Sequence, residues 1–317
     1  MNAAEGSVDE QGSKRTLSLM IVFLFLLIIP AGLLLPQWIG LGWTWGAVAI
    51  IMFVAIGATG LNLGKGWSGV LIDPQTNTMS LSRTQIILWT WVILSAFVTL
   101  ALARVSDSRT HPEGYVSGSQ VFGSDVNRSE PLGIQIPPLL WALMGISLTS
   151  AVGSPLLKAA KAQKTVAQDG ASQQRAIKRG LSNAAAETYR AVLDDRKRGD
   201  EKLSEQVGEA KPLGALLRKD SWRKAQFSDV LTGEEVATFG YVDIAKVQNL
   251  LFTVIAIVAY TVTLEAAMAG TQNIATLIAL PDLPPGLVAI IGISHGGYLI
   301  DKAVTHSTPT EGTPPEV

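Results

Sequence analysis

The chain has 317 residues and a net charge of −1, and charged side chains make up only 16% of it, against roughly a quarter in ordinary soluble domains. It has no cysteine, which excludes disulfides, thiolate metal sites, iron–sulfur clusters and thiol catalysis. The three histidines, His111, His295 and His306, are too scattered to suggest a metal site, and the near-neutral charge gives no global basic surface for nucleic acid.

The charges are segregated. Between Lys158 and Lys246 lie 17 Lys or Arg and 13 Asp or Glu, while long tracts elsewhere carry almost none. A bilayer demands this, because an ionised side chain at its centre costs about 3 kcal/mol or more. A spanning helix needs about 20 mostly apolar residues, and six stretches qualify.

After a tail (1–16) comes an N-terminal hairpin (17–62) of Leu17–Leu35 and Trp43–Gly60. The first run is long, and Pro36-Gln37 is no small-residue cleavage site, so it reads as a retained anchor, not a signal peptide. A turn segment (63–83) follows, with Asp73-Pro74 and Asn77 as turn formers and Ser80 or Ser82 placed to cap the next helix. Segments three (Thr84–Ala103) and four (Pro138–Leu157) flank a polar loop expected to be irregular. After the charged insert (158–246), segments five (Val247–Met268) and six (Pro285–Ile300, the shortest) precede a Thr- and Pro-rich tail (303–317) expected to be disordered. The fold class is therefore all-α, a polytopic membrane helix bundle with a helical or partly disordered cytoplasmic insert.

Orientation follows from counting positive charges, which collect on the cytoplasmic side. With the N-terminus inside, inner segments hold 22 Lys or Arg and outer loops hold three, Arg104, Arg109 and Arg128. Both termini and the insert are then cytoplasmic, in a bacterial inner membrane. Trp38, Trp43 and Trp45 fall at the outer interface, where indoles are favoured.

A tandem repeat is the strongest internal signal. Ile136-Pro-Pro-Leu-Leu-Trp-Ala-Leu-Met-Gly-Ile-Ser147 and Leu283-Pro-Pro-Gly-Leu-Val-Ala-Ile-Ile-Gly-Ile-Ser294 share seven of twelve residues. Arg83-Thr-Gln-Ile-Ile-Leu-Trp-Thr90 parallels Lys246-Val-Gln-Asn-Leu-Leu-Phe-Thr253. Segments three and four (84–157) then form one copy and five and six (247–302) the other, side by side in the same sense. Each Pro-Pro reads as a helix start. Gln85, Leu88, Trp89 and Ala96, and likewise Gln248, Leu251, Phe252 and Ala259, are expected to form matched packing stripes. Gly145 and Gly153, and Gly292 and Gly296, are expected to let helices approach closely.

Residues 212–242 mix Leu213, Leu216, Leu217, Trp222 and Phe227 with Arg218, Lys219, Arg223 and Lys224. That mixture predicts an amphipathic segment on an anionic leaflet or against a partner, or a solvated helix. The block Ser-Leu-Ser-Arg-Thr-Gln-Ile-Ile-Leu-Trp-Thr (80–90), with Ser228-Asp-Val-Leu-Thr-Gly-Glu-Glu235 and Lys246-Val-Gln248, resembles a recurrent pattern in bacterial multi-pass inner-membrane proteins. The resemblance covers segments three to six. It implies a membrane location and brings no activity, substrate, cofactor or functional residue.

Candidate functional polar residues are few. Glu265 is the lone acid within an apolar span, and His295 sits inside the Gly292/Gly296 pair; intramembrane ionisable groups are functional candidates. Gln85 and Gln248 could line a polar path in an oligomer, or hydrogen-bond between packed helices. Phosphate loops and nucleophile elbows are absent. The expectation is a non-catalytic membrane subunit that holds a cytoplasmic partner through residues 158–246, without cofactor, metal or nucleic acid. The alternative is a homo-oligomeric channel or transport component.

Overall fold

The computed structural model describes residues 2–115, 130–167, 210–213, 216–235 and 238–304. In chain order these form α1 (Asn2–Leu34), α2 (Pro36–Ile39), α3 (Leu41–Asn62), α4 (Leu81–Thr110), α5 (Pro138–Ala167), β1 (Ala210–Leu213), β2 (Leu216–Lys219), α6 (Ile244–Ala269) and α7 (Pro285–Ala303). Five helices are long and apolar enough to cross a membrane, over Arg15–Leu34, Leu41–Asn62, Leu81–Thr110, Pro138–Ala162 and Ile244–Ala269, consistent with a membrane protein. The sixth expected span, α7, is a helix of 19 residues outside that set. Its second half carries Ser294, His295, two glycines, Asp301 and Lys302, which dilute its apolar run.

The helices outrun their apolar stretches, because backbone hydrogen bonding continues into polar sequence. Thus α5 runs through Pro155 to Ala167, so the expected start of the insert, from Lys158, is a helical extension. The rest of the first half of the insert (168–209), residues 116–129 and the tail from 305 lie outside the described residues.

Two compact units divide the chain. The first comprises Met1–Val70, Gln85–Ile146 and Phe252–Ile291. Its core joins Leu41 and Trp45 of α3, Trp89, Val92, Ile93, Ala96 and Leu100 of α4, Leu140 and Leu143 of α5, Ala256, Tyr260 and Leu264 of α6, and Val288 and Ile291 of α7. Ile28 and Ala31 of α1 pack on Val48 and Met52 of α3. Trp38 and Trp43 are exposed, whereas Trp45 is buried and its indole N–H donates to Ser95 Oγ at 3.0 Å.

Gly60, in the last turn of α3, lies close against the backbone of the following loop. A Cβ there would lie 2.5 Å from the Gly66 carbonyl oxygen and 3.1 Å from the Gly69 nitrogen, both backbone atoms that cannot swing aside. Gly60→Ala should therefore cost about 1–3 kcal/mol. Gly46→Ala is the control: an added Cβ there meets nothing within 4 Å, so it should be neutral or stabilising by up to about 1 kcal/mol. Thermal unfolding in detergent reads both, and equal effects would contradict the packing.

The second unit comprises Leu71–Thr84, Ser147–Leu251 and Gly292–Val317. Residues 71–80 form the expected turn: Ile72 bridges Met79, the Asp73 amide donates to the Thr78 carbonyl at 2.8 Å, and Asn77 takes a positive φ of 55°. In the insert, β1 and β2 pair antiparallel, followed by short 3₁₀ turns at Trp222–Lys224 and Phe227–Val230. The described residues of 210–243 therefore do not form an amphipathic helix. Leu216 and Leu217 of β2 are both buried. The amides of Leu217 and Lys219 donate to the carbonyls of Glu234 and Thr76 at 2.9 Å each, so the hairpin edge is paired within the unit.

The two segments that the sequence pairs have equivalent helix starts but differ in the faces they bury. The Pro137 and Pro284 carbonyls each accept the amides three and four residues on, as two equivalent first turns. In α4 the expected stripe is buried at Gln85, Trp89 and Ala96. In α6, Gln248, Leu251 and Ala259 are exposed, and the buried stripe is Asn249, Thr253, Ala256, Tyr260 and Leu264. The packing face of α6 is displaced by about one residue from that of α4.

Candidate functional site

Along α5 the buried positions read Leu140, Leu143, Ser147, Ser150, Ser154, Lys158 and Lys161, three or four residues apart, so they lie on one helical face. In α7 they read Val288, Ile291, Ser294, His295, Tyr298 and Lys302, and in α6, from its far end, Leu264, Tyr260, Ala256, Thr253, Asn249 and Lys246. Each helix thus carries an inward stripe that passes from apolar through hydroxyl, amide or imidazole to lysine.

The lysines at the ends of these stripes meet acids supplied by the loops. Glu234, from the insert, is the hub of the second unit. Its carboxylate accepts Lys158 Nζ at 2.8 Å, Lys246 Nζ at 3.0 Å and Lys302 Nζ at 3.3 Å, all with side chains at most 8% exposed. Lys158 also donates to Asp73 Oδ2 at 2.6 Å, Lys246 to the Thr232 carbonyl at 2.7 Å and Lys302 to Tyr298 Oη at 2.9 Å. Beside the hub, Lys161 pairs with Glu235 and donates to the Val304 carbonyl at 2.7 Å. Lys219 closes the hairpin end by donating to Asp229 Oδ1 at 2.7 Å and to the Lys224 carbonyl at 2.9 Å.

Burial alone would raise the Glu234 carboxyl, but the ammonium groups of Lys158, Lys246 and Lys302 outweigh it and hold the group well below the usual carboxylate range. A carboxylate saturated by three cations is a poor base, while burial pushes the Lys302 ammonium below the ordinary lysine value. The arrangement holds four chain segments together. The adjoining cleft, lined by Lys161, Glu235, Thr238, Asp243 and Asp301 around the hub, has a volume of about 40 Å³, room for about three waters. Among the described residues, no group of three or more His, Asp or Glu is arranged to hold a metal ion.

The residues singled out in the sequence are not gathered into one site. Gln85 is buried and its Nε2 donates to Thr253 Oγ1 at 2.8 Å, joining α4 to α6. Its counterpart Gln248 is exposed, so the two do not form a matched pair of polar positions. Glu265 is exposed near the end of α6. His295 is 2% exposed and neither ring nitrogen has a hydrogen-bond partner among the described residues; the Ser147 and Ser154 hydroxyls are in the same position. Among the described residues, a Cβ added at Gly145 or Gly296 would meet nothing within 4 Å, and one at Gly153 would lie in ordinary contact with Leu299 at 3.6 Å. Gly292 is half-buried.

Sequence reasoning missed Asp73, Glu234 and Glu235 as site residues, and it missed Arg104. Arg104 is fully buried near the end of α4. Its guanidinium donates to the carbonyls of Glu130 (2.9 Å), Pro131 (3.0 Å), Ile274 (3.3 Å), Ala275 (2.9 Å) and Leu277 (3.1 Å), and it lies 5.3 Å from the Tyr115 ring centroid. It clamps the segment before α5 to the segment before α7, which also meet where the Gln135 amide donates to the Ile278 carbonyl at 2.8 Å. A lone arginine directly after an apolar run was the available signal. Comparison with protein-family models, curated proteins and solved structures finds no match.

Proposed function

We propose that the chain is a six-span, non-catalytic subunit of a bacterial inner membrane whose insert is a fixed cytoplasmic platform for a protein partner. Glu234 carries this reading. It binds lysines from the end of α5, the start of α6 and the end of α7, and through Lys158 it is linked to Asp73, ahead of α4. Groups in one buried cluster share one side of a bilayer, so these helix ends and the insert belong together on the side that the 22-to-3 excess of basic residues marks as cytoplasmic. A platform tied down at three helix ends presents its exposed residues in fixed geometry, which lowers the ordering cost of binding.

The test is purification of the tagged full-length chain from its native membrane. A cytoplasmic protein is expected in fixed stoichiometry, lost on deletion of residues 170–205 while the helical signal persists, and liposomes bearing the chain should pass no more ions than empty ones. The buried and unpartnered polar groups at Ser147, Ser154 and His295 favour the second reading, an oligomeric channel with a hydrated interior. Absence of a partner together with a flux abolished by His295→Ala would replace the first reading by the second.

A further inference from the structure

The turns at Trp222–Lys224 and Phe227–Val230 sit in a definite place. Trp222 and Ala225 pack around Ile72, Met79, Leu81, Val230 and Tyr298, the same cluster that Leu250 and Leu299 cover. Leu250 opens the uninterrupted apolar run of α6, following Lys246, Gln248 and Asn249; Leu299-Ile300 closes that of α7, ahead of Asp301 and Lys302. Trp222 therefore sits at the level where two helices pass from apolar to charged sequence, which is the headgroup level of a bilayer crossed by α6 and α7.

At that level the turns expose a particular set of side chains. Phe227 is 58% exposed, and Arg223 and Lys224 are exposed beside it. The Arg223 guanidinium lies 5.5 Å from the Trp222 ring centroid. Behind them the backbone is fixed, because Lys219 ties the Lys224 carbonyl to Asp229 and the Asp229 carboxylate accepts the Gln226 amide at 2.9 Å. An exposed aromatic ring beside exposed cations is the composition that binds anionic lipid.

We propose that Trp222, Arg223, Lys224 and Phe227 form a rigid site for the headgroups of anionic phospholipids in the adjacent leaflet. The proposal rests on α6 and α7 both crossing the bilayer and stands whether or not a protein partner exists.

The test uses the full chain in nanodiscs of phosphatidylcholine, with or without phosphatidylglycerol, and reads amide hydrogen exchange over residues 220–231. Exchange should slow about fivefold or more when anionic lipid is present, one basic side chain at a charged surface being worth roughly that factor. The slowing should fade at high salt, disappear in Arg223→Ser/Lys224→Ser, and persist in the charge-keeping Arg223→Lys/Lys224→Arg. Equal exchange in both lipids overturns the proposal, as does an undiminished response in the double serine variant. Slowing that appears only when a soluble protein fraction is added would make the surface a protein-docking site and overturn it equally.

Discussion

Glu234→Gln should cost the fold about 3–5 kcal/mol, the usual result of removing one member of a buried charge cluster. The substitution keeps the shape of the side chain and removes the charge that three lysines share, leaving Lys246 with the Thr232 carbonyl and Lys302 with the Tyr298 hydroxyl. In a thermal melt in detergent the midpoint should fall by roughly 10 °C. Lys302→Met should cost less, because Glu234 keeps Lys158 and Lys246 at 2.8 and 3.0 Å. The same residue sets a pH dependence. Its folded-state pKa is depressed below the ordinary 4.5. Its stabilisation is therefore complete above that value and is lost as pH falls further, since the unfolded chain takes up the proton first. Below about pH 4.5 the wild-type chain should lose stability more steeply than Glu234→Gln. Parallel curves for the two would mean that the carboxylate is not held as described.

Arg104→Met should have the next largest effect. Five carbonyl oxygens lose a charged donor at once. Each buried acceptor left without a partner costs about 1–3 kcal/mol, and partial relaxation should hold the total near about 3–5 kcal/mol. The loss should be local, so protease sites at 130–137 and 274–283 should open before the helices melt. Arg104→Lys should recover only part of it, because one ammonium cannot match a fork that reaches two segments. Protease resistance equal to wild type in Arg104→Met would contradict the clamp.

The spans were legible because their signal is local. An uncharged run of about 20 residues has few outcomes other than a buried helix, and Pro138 and Pro285 mark their helix starts wherever the rest of the chain goes. What the helices bury was less legible. Gln85 and Gln248 occupy matched places in the repeat, yet one is buried and the other exposed, because the face a helix turns inward is chosen by its neighbours. The polar gradient along α5 could have been read from the spacing of Ser147, Ser150, Ser154 and Lys158. Its meaning could not, because the acids that neutralise those lysines are remote: Asp73 lies 85 residues from Lys158, and Glu234 lies 68 residues from Lys302. Counted only as positive charges, Lys158, Lys246 and Lys302 gave an orientation; paired, they give a cluster. Likewise Ser228–Glu235 stood out as a block without a role until Asp229, Glu234 and Glu235 were seen to anchor five lysines. Small residues are a permissive signal: a Cβ added at Gly145 or Gly296 would meet nothing within 4 Å among the described residues.

The most direct test is to place single cysteines in this cysteine-free chain and label them with a membrane-impermeant maleimide in intact cells. Arg218→Cys and Val304→Cys, beside the Glu234 cluster, should label only after the membrane is opened. His111→Cys and Leu132→Cys, in the segment between α4 and α5, should label from outside. Labelling of all four from the same side, or of Arg218→Cys and Val304→Cys from opposite sides, would contradict the account.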